Sequence, residues 1–139
     1  DPDVLGGMIV QVGDTVFVHG GVLLKHVRYG LSRINDEVRS YMLGTLPELP
    51  PIMASEDSPV WSRAYSGHEE PACAELAQVL EALNAKRMVV GHTIQENGVN
   101  AACDGKVWRI DVGISRAYGG PVQALEIKGD QARPLRAEN

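Results

Sequence analysis

The sequence has no cluster of Lys or Arg longer than a residue or two, and its formal net charge is −5 with histidine neutral. This excludes the electrostatic footprint of a nucleic-acid binder. No apolar run approaches the roughly 18 residues that a membrane helix requires. Cysteine is sparse: Cys73 and Cys103 stand far apart and fit no zinc spacing. They read as two ordinary buried or free thiols, although spacing leaves a disulfide open. There is no internal repeat and no low-complexity tract. The start, Asp1-Pro2-Asp3-Val4, has neither Met nor a signal-peptide pattern, so it reads as a cut through a longer chain. Any targeting segment would lie upstream, and the compartment stays undetermined.

What is present is ordinary globular material. The 139 residues are 44% apolar and 22% charged, enough for one domain with a real core. Met8–Val12 and Thr15–Val18 read as strands joined by a Gly13-Asp14 hairpin turn, where Asp14 is turn chemistry rather than a ligand. Leu31, Ile34, Val38, Tyr41 and Met42 recur at helical spacing, with Ser32 as the expected cap. Thr45–Pro59 reads as an irregular loop. Pro71–Asn84 predicts the best helix, with Leu76, Val79, Leu80 and Leu83 on one face and Asn84 ending it. Arg87–Val90 is a buried strand. Val99–Cys103 and Lys106–Asp111 flank an Asp104-Gly105 hairpin signal. Val122–Ile127 is a further strand, turning at Lys128-Gly129-Asp130 toward a short last one. The expected class is α/β or α+β, a sheet with helices packed on it.

Two histidines end two apolar runs: Val16-Phe17-Val18-His19-Gly20-Gly21 and Met88-Val89-Val90-Gly91-His92-Thr93. Strand ends on a rigid sheet gather binding groups, and adjacent glycines permit close approach. Two imidazoles aimed at one spot suit Mn, Fe or Zn, but more ligands are needed. His26 and His68 lack such contexts and are assigned solvent or packing roles. Arg63, in Val60-Trp61-Ser62-Arg63, offers a planar fork that matches two phosphate oxygens. Trp61 could wedge that loop; the bland alternative is a core Trp beside a surface Arg. Asp111 to Gly120 follows a strand and sets polar groups between glycines, as a site-lining loop would.

The ordered strings VFVHGGV, VWSR, a helix, MVVGHT and WRIDVGISRAYGG resemble the C-terminal half of a calcineurin-like metallophosphoesterase. The strings AKRMVVGHT and RIDVGISRAYGG point to the Shewanella-like branch of the phosphoprotein phosphatases. The resemblance runs from about Gly6 to about Gly129. It implies the C-terminal portion of a four-layer αββα sandwich, with residues 1–139 forming a partial domain. It also implies two divalent metals (Mn, Fe or Zn), with His19 and His92 as ligands of one. Arg63 would hold the substrate phosphate. Gly20, Asp111, Arg116 and Tyr118 would line the pocket. In such a site a metal-generated hydroxide attacks phosphorus in line, without a phosphoenzyme.

The family's other metal-ligand motifs, of GDxHG, GDxxDRG and GNHE type, are absent from the chain, and with them its proton-transfer residues. The expectation is therefore a phosphatase fragment, weak or inactive alone, whose partners are a phosphorylated protein or small phosphoester and the N-terminal half of the domain. No nucleic-acid or membrane partner is expected. The alternatives are a non-catalytic binding remnant, or a nucleotide or dinucleotide phosphohydrolase of the same superfamily. A free-standing version should also expose an apolar sheet face.

Overall fold

The computed structural model describes residues 8–67, 69–113, 120 and 122–137. Five strands form a mixed sheet in the order β1-β2-β3-β5-β4: β1 (Ile9–Val12), β2 (Thr15–Val18), β3 (Arg87–Val90), β4 (Asn100–Ala102) and β5 (Val107–Arg109). β6 (Gln123–Lys128) and β7 (Gln131–Arg136) form a separate antiparallel pair. The helices are α1 (Leu24–Tyr29), α2 (Leu31–Met42), the single-turn α3 (Pro51–Ala54) and α4 (Cys73–Ala82). The mixed α/β class expected from the sequence is the one observed. Among the described residues no helix is long and apolar enough to cross a membrane.

The strand alternation builds the core. Val16, Met88 and Val107 stand in one cross-strand row, and Ile9 and Val18 pair in the next. All five are buried in the same cluster as Ile34 and Val38 of α2 and Leu76, Val79 and Leu80 of α4. Each such side chain, fully buried, stabilises by about 1.5–3 kcal/mol. The opposite face carries the row Val10, Phe17, Val89 and Trp108. Central Val89 is buried, whereas Val10, Phe17 and nearby Ile110 stay more than a third exposed.

β3 lies between two parallel neighbours, so all four of its residues are buried, Arg87 included. That buried guanidinium is satisfied by Thr15 Oγ1 at 2.9 Å and by the Asp130 carbonyl at 2.8 Å. Asp130 sits in the turn of the β6–β7 hairpin, so Arg87 ties that hairpin to the start of β3. Such a charge would be costly without these partners.

Several local expectations needed correction. α2 starts at Leu31 behind Gly30, which stands at φ +107°, so Ser32 lies inside the helix and does not cap it. α1 was not anticipated: His26 accepts the Leu23 amide at 2.8 Å and starts that helix from within. The loop Thr45–Pro59 contains α3, initiated by Pro51 at its first position. Cys73 and Cys103 are not free thiols but form a disulfide between α4 and the turn after β4, with Cα atoms 5.3 Å apart. The hairpin turns at Gly13-Asp14 and Asp104-Gly105 are as read, and Asn84 ends α4 in left-handed backbone at φ +51°.

Candidate functional site

His19 follows β2 directly, and His92 follows β3 after one glycine. Because β2 and β3 are parallel neighbours, both histidines leave the sheet at the same edge. Their rings meet at 61°, with centroids 5.1 Å apart. The Gly91 amide donates to the His19 carbonyl at 2.8 Å and locks the two strand ends together. His92 itself sits at φ +68°, and the Thr93 amide donates across it to the Gly91 carbonyl at 2.8 Å. A non-glycine residue at the centre of so tight a turn is strained, and such strain concentrates at functional sites.

Arg63 is held against this corner from two sides. The amides of Gly20 and Gly21 both donate to the Pro59 carbonyl, at 2.7 and 3.0 Å. A Cβ on Gly20 would come within 2.6–2.9 Å of backbone atoms of Pro59, Val60 and Ser62, so only glycine allows the loop to lie this close. Tyr65, fully buried, donates from its hydroxyl to the Val22 carbonyl at 2.8 Å. On the other side the Ser66 and Thr93 hydroxyls are 3.1 Å apart. The loop therefore spans the His19 turn and the His92 turn, and Arg63 emerges exposed between its anchors.

Ala54, Glu56, Trp61, Arg63 and His92 line a cleft of about 580 Å³. Trp61 is not a core residue: its indole is 56% exposed and stands edge-on to His92, centroids 5.5 Å apart. Exposure of so large a ring in a cleft is informative, since Trp is normally well covered. Burial, then the charges of Arg63 and His19, lower the His92 pKa, and Asp111 opposes them. Arg63 forms no ion pair among the described residues, so its charge is available to a ligand.

The structure thus brings His19, Arg63, His92 and Asp111 into one neighbourhood. Asp111 lies just past β5, the other parallel neighbour of β3, and accepts the Gly113 amide at 3.1 Å. His19 lines the apolar hollow on the open sheet face together with Phe17 and Ile110. Gly20 is buried under the Arg63 loop rather than on the cleft wall. Arg116, Tyr118 and His68 lie outside the described residues. Glu56 was missed in the sequence because it sits in what reads as a featureless polar loop. Among the described residues no three His, Cys, Asp or Glu side chains group into a metal site. Two imidazoles are offered, and a protein-held divalent ion usually needs a third donor. Among the described residues the donor set does not make a complete metal site.

Comparison with known proteins bears out the Shewanella-like resemblance. The chain is 42% identical to Shewanella-like protein phosphatase 2 of Arabidopsis thaliana over 94% of its own length and 37% of that protein. It is 31% identical to Shewanella-like protein phosphatase 1 of Plasmodium berghei, over 81% of this chain and 34% of that one. A crystal structure of a mutant cold-active protein tyrosine phosphatase superposes with TM-score 0.76 at 24% identity, covering 92% of this chain and 40% of that chain. The cold-active protein-tyrosine phosphatase of a psychrophilic Shewanella superposes with TM-score 0.61 at 25% identity, covering 78% and 34%. No protein-family model matches. The chain is similar to the Shewanella-like phosphatases, of whose curated sequences it spans about a third.

Proposed function

We propose that this chain carries one flank of the active site of a metal-dependent phosphoester hydrolase of calcineurin-like type, acting on phosphorylated protein side chains. The observation that carries this reading is the exposed Arg63 fork, without an ion pair among the described residues, in one cleft with the strained His92, beside His19. The names of the relatives support phosphatase chemistry. The donor set at the two strand ends supports a metal.

Two divalent ions, Mn, Fe or Zn, would supply a polarised phosphoryl group and a nucleophile from water near neutral pH. His19 and His92 would hold one of them, with Asp111 close by. Arg63 would grip two equatorial phosphoryl oxygens and stabilise the charge that builds there during in-line attack. Trp61 walls one side of the cleft. The remaining donors would come from polypeptide covering the open sheet face at Val10, Phe17 and Ile110. The 139-residue chain alone is then expected to turn over little or nothing.

Orthophosphate binding tests the Arg63 assignment, read as a change in Trp61 fluorescence with and without Mn2+. Saturable quenching in the wild type that disappears in Arg63→Met supports the reading. Equal quenching in both would remove Arg63 from the site. A Trp61→Phe control separates the signal from that of Trp108.

A further inference from the structure

A second cleft, of about 450 Å³, opens on the far side of the Ser66–Thr93 contact. Ser66, Gln95, Asn100 and Arg109 line it, with Glu96 at its exposed edge. Its walls are the continuations of the two segments that build the first site: Ser66 lies three residues past Arg63, and Gln95 three past His92.

The polar groups here form a hydrogen-bonded chain that ends at Arg109. The Gln95 amide nitrogen donates to the Ser66 and Thr93 carbonyls at 3.1 and 2.9 Å. The Asn100 amide nitrogen donates to Gln95 Oε1 at 3.1 Å and to the Gly98 carbonyl at 2.9 Å. Asn100 Oδ1 accepts from Arg109 Nε at 2.7 Å. The Gln95 backbone amide donates to the Asp111 carbonyl at 2.7 Å. Every side-chain amide donor of Gln95 and Asn100 is therefore used inward.

Arg109 differs. Its Nε is committed to Asn100, but among the described residues Nη1 and Nη2 have no acceptor and no carboxylate within ion-pairing distance. The residue is half-buried, and burial pulls its pKa down. A partly desolvated cation without an anion is costly, and it favours any anion that arrives. Asn100 fixes the guanidinium by its side, which leaves the end-on pair of Nη groups as the available fork. That edge matches two oxygens of a carboxylate or a phosphate. Glu96 makes no ion pair with Arg109 and disfavours anions at the rim, which confines recognition to the floor.

We infer that this cleft is an oxyanion subsite that takes a carboxylate, or a second phosphate, of the substrate polypeptide next to the residue whose phosphate meets Arg63. The inference rests on the proposed phosphatase reading for its substrate class, but the subsite's own geometry is independent of any metal. Because Gln95 bridges both segments, an occupied subsite would also hold the His92 turn in place.

The test is an NMR titration of the 15N-labelled 139-residue chain as wild type, Arg63→Met and Arg109→Lys. The probes are orthophosphate, hexaglutamate and hexaglutamine as the neutral control. In Arg63→Met the Arg109 Nε–Hε resonance should shift saturably with an anionic probe and stay still with hexaglutamine. Response to hexaglutamate alone identifies a carboxylate subsite, and response to orthophosphate alone a phosphate subsite. Arg109→Lys keeps the charge but loses the fork, and should weaken the binding at least fivefold while the amide spectrum shows an unchanged fold. An Arg109 resonance unmoved by both anions, or binding equal in Arg109→Lys, overturns the subsite. Movement of Arg63 in the wild type with Arg109 silent would leave the phosphatase reading standing; silence at both would remove both.

Discussion

The imidazole of His92 meets that of His19 edge to face, 5.1 Å between centroids, although 73 residues of sequence separate them. The parallel pairing of β2 and β3 produces this meeting. The Gly91–His19 hydrogen bond fixes it, and the φ of +68° at His92 aims the ring.

That backbone strain makes a prediction. Glycine adopts positive φ without penalty, whereas a residue with a Cβ pays roughly 1–2 kcal/mol there. His92→Gly should therefore be more stable than His92→Ala by about 1 kcal/mol, and both should lose metal affinity. Urea unfolding and Mn2+ titration of the two variants would show it. Equal stability would mean the turn relaxes when the imidazole leaves.

Gly20 tests the loop that presents Arg63. Gly20→Ala drives a methyl into three backbone atoms at 2.6–2.9 Å, none of which can rotate away. Overpacking of this kind costs about 1–3 kcal/mol and would displace the Pro59–Arg63 segment. Orthophosphate affinity should fall at least tenfold in a protein that still folds. Unchanged affinity would detach Arg63 placement from the Gly20 contact.

His26 predicts an acid sensitivity. It is fully buried, and its Nε2 has no hydrogen-bond partner among the described residues. Burial and the Lys25 charge lower its pKa to about 4, against the opposing influence of Asp57 and Glu75. Below its ordinary value near 6.5, the unfolded chain binds the proton first. Stability should therefore be complete above pH 6.5 and fall as the pH drops toward 4, by up to roughly 3 kcal/mol. Unfolding free energies across that window, compared with His26→Gln, would isolate this share.

The Cys73–Cys103 bond crosslinks residues 30 apart in sequence. Chain-entropy reasoning puts the stabilisation at about 3 to 4 kcal/mol. Thermal melts with and without reductant should differ by several degrees, and Cys73→Ser should match the reduced wild type. A melt indifferent to reductant would mean that the thiols are unpaired in solution.

Much of this was legible in the chain. The apolar runs of β1, β2 and β3 and the hairpin signals at Gly13-Asp14 and Asp104-Gly105 gave most strands to within a residue or two. His19 and His92 stood out because a strand end and glycines flank them, and Arg63 because its fork closes the Val60-Trp61-Ser62 string. The rest depended on tertiary contacts. α1 is a six-residue helix started by a histidine side chain, which no periodicity announces. The disulfide required α4 to pack beside the β4–β5 turn. The sequence leaves Trp61 either wedging its loop or sitting in the core, and its exposure follows only from where the loop is anchored. The Arg109 subsite has no local signature, because its members come from three segments joined by side-chain amides.

The most direct measurement is Mn-dependent hydrolysis of p-nitrophenyl phosphate by this chain, alone and refolded with the part of the Arabidopsis relative outside the matching region, beside His92→Ala in both settings. The account predicts negligible turnover by the chain alone, turnover in the combined protein, and its loss in His92→Ala. Turnover in the combined protein that survives His92→Ala would contradict it.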